Sequence, residues 1–568
     1  MSSTKAQNHS IIDGFYPRSG IRITPGLGSI SPRSWSRSYW AVFISTRTPW
    51  SVFPEALGTR PAGCGGMFTT SNTRIRSGSD QPRDHGMFYM DPVTLKRKPC
   101  YLYCGAKRMK TSHLPRSKNI PSVVLIKQHF SISKEADVRE ATVRELKKLF
   151  PDTTAIKGKI VGLTCPSRGI RDIAQVLITA VSFLKPHCKE VRILTAMGTH
   201  GGGTSEGERA MASDRGVTEE AVGTRIFSNM ETRYIDTVND VEAHVSEDAL
   251  ACDLVILTNR IKEHTDIDWP EPLPEGFYGL ESGWAKILAL GASKLRAIEQ
   301  HRHIPTIGLG TAIEISSRRI IEGKELVIWG GLGIIENARD ETAEIVSARA
   351  ESADRFFAIE AQALARSKEL MPAMPVRTVD VLYCNSLGKD LSGQGMHTKT
   401  IGRSPYGYQQ GKPWKSTMPA IHTIVGSRLS PGSHGNAIGV GLCEFITQRF
   451  DEEIEWDRTT LNSLSALCPC QARRPIVCEH DRDALEIALA MSPSGPDGPR
   501  MVFIHSTLKM EHALLSEGLL NDARANSNLE TLSYPSPLRF SSDGYVDLES
   551  YFKFGHLAHS PPGCENIR

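Results

Sequence analysis

Apolar and polar positions change period along this chain, and the changes mark strands and helices in alternation. The run SVVLIKQHF from Ser122 is β-branched and apolar, as a buried strand requires, and ADVREATVRELKKLF after it puts Val138, Thr142, Leu146 and Leu149 on one helical face. KIVGLTC then reads as strand, RDIAQVLITAVSFLK as a helix with a broad apolar face, and EVRILTAM as strand again. DLVILTN, TIGLG, ELVIWGGLGII and VDVLYCN are further short apolar runs ended by Gly, Asn or a charge, and each predicts a strand. Between them, ESGWAKILALGASKLRAIEQHRH reads as a glycine turn opening one helix. Strand and helix in turn predict an α/β fold in which crossover helices cover parallel strands.

No such period persists in residues 1–118, which are rich in Ser, Arg, Gly and Pro and predict little fixed structure. This segment carries 18 Lys and Arg against 5 Asp and Glu, so the overall net charge of +4 hides a basic front and a mildly acidic body. An Arg- and Ser-rich start poor in acids is read as a mitochondrial transit peptide, a disordered extension or a misassigned gene start. The body has no Lys/Arg stripe interleaved with aromatics, which argues against nucleic acid as a partner, and no apolar run suits a membrane span. Twelve scattered cysteines lack paired zinc-ligand spacing, and the closest pairs, Cys100 with Cys104 and Cys468 with Cys470, face no second half-site. A reduced protein of the cytoplasm is the reading, or of the mitochondrion if the front segment is a transit peptide. The stretch after Tyr545 reads as a polar tail.

Candidate chemistry gathers at strand ends. GTHGGGTSEGERAMA follows a strand, so His200 sits at the carboxyl end of that strand, where open α/β sheets present ligands, and Ser205 with Glu208 would cap the next helix as a box. The glycines fit neither a dinucleotide nor a P-loop fingerprint. DLVILTN leads to RIKEHTD, which puts His264 just past another strand. Lys286 lies among Trp284, Ile287 and Leu288, where an amine is either snorkelling or held for chemistry. His301 and His303 close that helical stretch, and imidazole is a common metal ligand. Two histidines suit proton transfer on opposite faces of a carbon, a third suits a metal, and all three also suit purely structural roles.

The string AMGTHGGGTSEGERAMASDRGVTEEAVG, with TCPSRGIRDIAQVL before it and NRIKEHTD after it, resembles the nickel-dependent lactate racemase family. The resemblance continues through ESGWAKILALGASK, LGKDLSGQGM and SHGNAIGVGLCEFITQRF to about Tyr545 and leaves residues 1–118 uncovered. It implies a cleft between two α/β domains, at 119–372 and 373–545, with a tail at 546–568. It implies an isomerase, a racemase or epimerase acting on a small 2-hydroxy acid such as lactate or a larger hydroxy or sugar acid. It also implies a nickel pincer nucleotide supplied by dedicated biosynthetic enzymes, attached through Lys286 and accepting a hydride from the alcohol carbon. His200 and His264 would be the acid–base pair, His301 the nickel ligand with His303 nearby, Ser167 and Arg168 the cofactor-phosphate loop, and Lys389 the anchor of the substrate carboxylate. The segment WPEPLPEGFYG between His264 and Lys286 is an insertion relative to that pattern, expected either to loop out harmlessly or to displace His264. The alternative reading is a relative that binds a small anion or metal in the same cleft without racemase chemistry.

Overall fold

A computed structural model describes residues 111–167, 169–407, 411–493 and 498–554; Arg168, most of the front segment and the end of the tail lie outside these. The chain is α/β. Its strands run β1 (Val123–Gln128), β2 (Ile160–Cys165), β3 (Glu190–Thr195), β4 (Ile226–Phe227), β5 (Thr232–Val238), β6 (Val241–Ser246), β7 (Leu254–Arg260), β8 (Ile328–Glu336) and β9 (Thr342–Arg349). β10 (Thr378–Leu387), β11 (Ala420–Leu429), β12 (Phe445–Thr447), β13 (Ile476–Cys478), β14 (Met501–Ile504), β15 (His512–Ser516) and β16 (Leu529–Thr531) follow.

Two sheets result, with a separate β5–β6 hairpin. The first has the order β4-β3-β2-β7-β8-β9, parallel except for β9, and changes direction of growth between β2 and β7. Helices α1 (Val138–Leu149) and α2 (Ile173–Leu184) pack Leu146, Leu149, Val176, Leu177 and Leu184 on one face of it. On the other face lies a core around Trp284, Phe356 and Phe357. The second sheet has the order β13-β12-β11-β10-β14-β15-β1-β16, parallel from β13 to β14 and antiparallel beyond. Among the described residues no helix is long and apolar enough to cross a membrane.

Several expectations change. The strand predicted at the start of the body forms, but β1 pairs Val123–Lys127 with Ser516–His512 and so belongs to the second sheet. TIGLG is no strand: Gly308, at φ 84°, begins a helix over Leu309–Glu322, whose buried Leu309, Ala312, Ile313 and Ile320 recur at helical spacing. The stretch after Gly283 is a broken series of turns, Trp284–Lys286, a wide turn at Ile287–Gly291, then Lys294–Arg296 and Ala297–His301. The break is forced at Gly291, whose carbonyl accepts the Gly198 N–H at 3.2 Å and whose backbone leaves no room for a Cβ against Ala196. Order also begins earlier and ends later than expected. Arg116 pairs with Asp483 and Glu486, and Leu548–Phe554 is a helix that buries Leu548 and Tyr551.

Candidate functional site

Parallel strands deliver their following loops to one edge of a sheet, and here both sheets do so into the same cleft. Ser167 follows β2, His200 follows β3, Lys262 and His264 follow β7, and Glu336 ends β8. From the second sheet, Lys389 follows β10, His434 follows β11 and Thr507 follows β14. Together they line a cavity of about 600 Å³, which lies at the β2/β7 switch point. Five residues expected from the sequence, Ser167, His200, His264, Lys286 and Lys389, are therefore brought together.

His200 is held by an unusual turn. Gly201, Gly202 and Gly203 have φ of 67, 71 and 65°, three successive left-handed residues that a side chain would strain, and this explains the glycine run. The Ser167 hydroxyl lies 2.5 Å from His200 Nδ1 and orients the ring. The helix after the turn, α3 (Ser205–Ser213), is capped by the Thr204 hydroxyl on the Gly207 N–H and not by the Ser205–Glu208 box. Glu208 instead turns into the core, where its Oε2 lies 2.6 Å from Lys294 Nζ, and both side chains are buried. Lys294 also donates to the Thr195 carbonyl at 2.5 Å and the Thr195 hydroxyl at 2.9 Å, while that hydroxyl donates to Glu208. A buried ion pair thus ties the end of β3 and the helix behind His200 to the segment that follows Lys286.

The long connection from His264 to Lys286 loops out between clamped ends. Lys262 and Ser282 exchange backbone hydrogen bonds of 2.9 and 3.1 Å. Buried Glu281 accepts the His264 N–H at 2.6 Å, Lys399 Nζ at 2.7 Å and Lys368 Nζ at 2.7 Å. The insertion itself is anchored, with Trp269 donating to the Leu280 carbonyl at 3.0 Å and Glu314 accepting the Leu280 N–H at 2.8 Å. His264 consequently stays on the cleft wall. Its Nδ1 accepts the Asp266 N–H at 3.1 Å, so in the neutral ring Nε2 carries the proton.

Lys286 ends a helical turn whose root is Trp284, fully buried and stacked on Phe356 at 4.9 Å. Glu360 receives the start of this turn, accepting the Ala285 N–H at 3.0 Å, and Gly283 is glycine because a Cβ there would collide with that carboxyl. Burial pushes Glu360 up to about 8, overriding the N–H donors that favour its charged form. In the unfolded chain the group titrates near 4.5. Between those two values the native state holds a proton that the unfolded state has released, so stability falls as pH rises through this window. Unfolding midpoints in urea should therefore decline from pH 5 to pH 8, and Glu360→Gln should flatten the decline. An unchanged slope in the variant would remove Glu360 from the explanation.

Arg168 lies outside the described residues, and its neighbour Ser167 has its hydroxyl on His200. His301 is not among the lining residues. Its ring is within electrostatic reach of Lys286 and Asp266, its Nδ1 lies 3.0 Å from the Ala297 carbonyl, and burial lowers its pKa. His303 sits in the next turn, its carbonyl accepting N–H groups from Thr306, Ile307 and Gly308. Lys389 lines the cavity and donates to the Asn462 side chain.

Sequence reasoning missed other charged groups on the walls. Arg215 is a half-buried guanidinium whose pKa burial lowers, and Arg260 pairs with buried Glu336 at 2.6 Å. Lys262, Glu263 and His397 also line the cavity. Their signals were in reach, since RIKEH and GMHTKT each follow a strand of a parallel sheet, but only the topology shows that the two segments meet.

No protein-family model matches the chain, and no curated protein matches it. Among solved structures the chain is similar to a protein from Thermotoga maritima, at 15% identity over 61% of this chain and 84% of that one, with a TM-score of 0.39. It is also similar to the lactate racemase apoprotein from Thermoanaerobacterium thermosaccharolyticum, at 14% identity over 65% of this chain and 85% of that one, with a TM-score of 0.34. Likenesses this loose carry no argument about the site.

Proposed function

We propose that the cleft racemises or epimerises a 2-hydroxy acid with the help of a nickel pincer nucleotide. The observation that supports this most is the convergence of His200, His264, Lys286 and Lys389, far apart in sequence, on one cavity. Lys286 suits the cofactor's attachment, and His301, outside the cavity lining but within electrostatic reach of Lys286, suits the metal by its chemistry. Lys286 lines the cavity and offers an amine for attachment. His301 is kept neutral by burial, and if its Nδ1–H is donated to the Ala297 carbonyl, Nε2 has the free lone pair that a metal-ligating histidine needs. When bound, such a group supplies the acceptor for the hydride on the alcohol carbon.

The chain's own groups would handle the proton and the carboxylate. Lys389 would hold the substrate carboxylate from the second half of the chain. His200, oriented by Ser167, would take the hydroxyl proton of one enantiomer. His264 would serve the opposite enantiomer, and to return a proton to the product alkoxide its ring must first be doubly protonated, with Nδ1 releasing the Asp266 N–H. His200→Ala is expected to cost on the order of 10²-fold or more in rate, read by chiral chromatography of a hydroxy acid in both directions. A silent substitution would remove His200 from the proton relay.

The decisive experiment is intact mass and nickel content of the protein made together with the pincer-cofactor biosynthetic enzymes. A mass increase mapped to Lys286 with bound nickel is expected. A folded, unmodified and nickel-free chain would favour an anion- or metal-binding relative without this chemistry.

A further inference from the structure

The backbone that carries His264 is held by the second sheet as well as by its own. His264 follows β7 of the first sheet, but the carbonyls of the next two residues accept hydrogen bonds from the connection between β10 and β11. The Thr398 hydroxyl donates to the Thr265 carbonyl at 2.6 Å, and the Tyr406 hydroxyl to the Asp266 carbonyl at 3.0 Å. Thr398 is fully buried, so water cannot stand in for this carbonyl while the sheets are together.

A third tie runs through a carboxylate. Glu281 Oε2 accepts both the His264 N–H at 2.6 Å and Lys399 Nζ at 2.7 Å, so one oxygen joins the His264 peptide to a lysine of the β10–β11 connection. The same ammonium lies 3.5 Å from the carboxylate of Glu263, the residue before His264. Lys399 is 9% and Glu281 2% exposed, which spares the pair the solvent screening of a surface ion pair. Lys368 holds the other oxygen, Oε1, at 2.7 Å, but it comes from the helix over Ala353–Leu370, which packs on the first sheet. His200 is supported differently, by the Ser167 hydroxyl and the glycine turn, both on loops of the first sheet. Parting the sheets would break the three ties to the His264 backbone and leave the Ser167 bond intact.

We propose that Lys399 and Thr398 are positioning residues for His264, which reaches its working place only while the β10–β11 connection is docked on the loop that carries it. Neither residue touches the reacting atoms; both act through the His264 backbone, Lys399 by way of Glu281. Lys389 lies earlier in the same connection, so the group that anchors the substrate carboxylate and the group that sets His264 move as one segment. The register between an anchored substrate and this imidazole is thereby built into a single stretch of chain, and a misplacement of about 1 Å is enough to cost on the order of 10²-fold in rate. The inference rests on the acid–base reading of His264.

Hydrogen–deuterium exchange of the full chain, resolved by peptide mass spectrometry, tests this without turnover. In Lys399→Met the amides of residues 262–267 should exchange at least about tenfold faster, while those of 197–205, around His200, stay within about twofold. Glu281 keeps Lys368 in this variant, so no buried carboxylate is left without a counter-charge. Lys399→Arg, which keeps the charge and a donor, should restore most of the protection. Thr398→Val, which removes only the hydroxyl bond, should loosen the same amides and guards against a folding defect in the lysine variant. Lys368→Met, on the other oxygen, should leave them protected. In protein made together with the pincer-cofactor biosynthetic enzymes, Lys399→Met should lower kcat about tenfold or more with KM within about twofold, and Lys399→Arg should recover it. Unchanged exchange in both Lys399→Met and Thr398→Val, equal loosening of 197–205, an equal effect of Lys368→Met, or a raised KM with kcat intact overturns the positioning role. A parent without turnover that still shows the exchange pattern would end the racemase reading and leave the docking of the His264 loop standing, so the two failures are separable.

Discussion

Lys286→Ala should leave a folded protein with no cofactor mass, no stoichiometric nickel and no detectable interconversion of hydroxy-acid enantiomers. The side chain is only partly buried, and its helical turn is held by other groups: Trp284 stacked on Phe356, and Glu360 on the Ala285 N–H. Deleting the amine therefore removes the attachment point while these supports of the turn remain. Lys286→Arg should be equally inactive, because a guanidinium keeps the positive charge but not the nucleophilic amine. That comparison separates covalent attachment from electrostatics. Full activity in Lys286→Ala would end the pincer mechanism for this chain.

Lys294→Met should destabilise the protein by about 3 to 5 kcal/mol, the usual cost of leaving one partner of a buried ion pair without the other. Glu208 is fully buried and would retain the Thr195 hydroxyl and the Met197 backbone as its donors, with no counter-charge. The paired change Glu208→Leu with Lys294→Met should recover much of the loss, since an apolar pair of similar volume avoids the desolvation of two charges. Urea unfolding of both variants and the parent gives the comparison. A single variant within about 1 kcal/mol of the parent would show that Glu208 protonates or finds water at little cost.

The parts of this molecule that were legible in the sequence are those governed by local period. Strands β2, β3, β7, β8 and β10 and helices α1 and α2 follow from short apolar runs and one-sided faces, and strand ends located His200 and His264. What local period does not contain is the partner of each segment. TIGLG has a strand's composition, yet Gly308 and the spacing of Leu309, Ala312 and Ile313 make it the start of a helix. Glu208 has a cap's spacing, yet a lysine 86 positions away draws it inward. His397 follows β10 as His264 follows β7, but its place beside Glu263 exists only once two sheets have closed on one cleft.

The position of β1 bears on how the chain is made. This strand is synthesised first among the sixteen but pairs with β15 and β16, which are near the end. At translation rates of about 5 to 20 residues per second, its apolar edge waits roughly 20 to 80 s for a partner. The first sheet has all its strands after β9 emerges, whereas the second lacks its β1 pairing until β15 emerges. A chain cut between the sheets would thus yield a first half with a stranded apolar segment and a second half with a gap between β15 and β16, and the two pieces would need each other to become soluble.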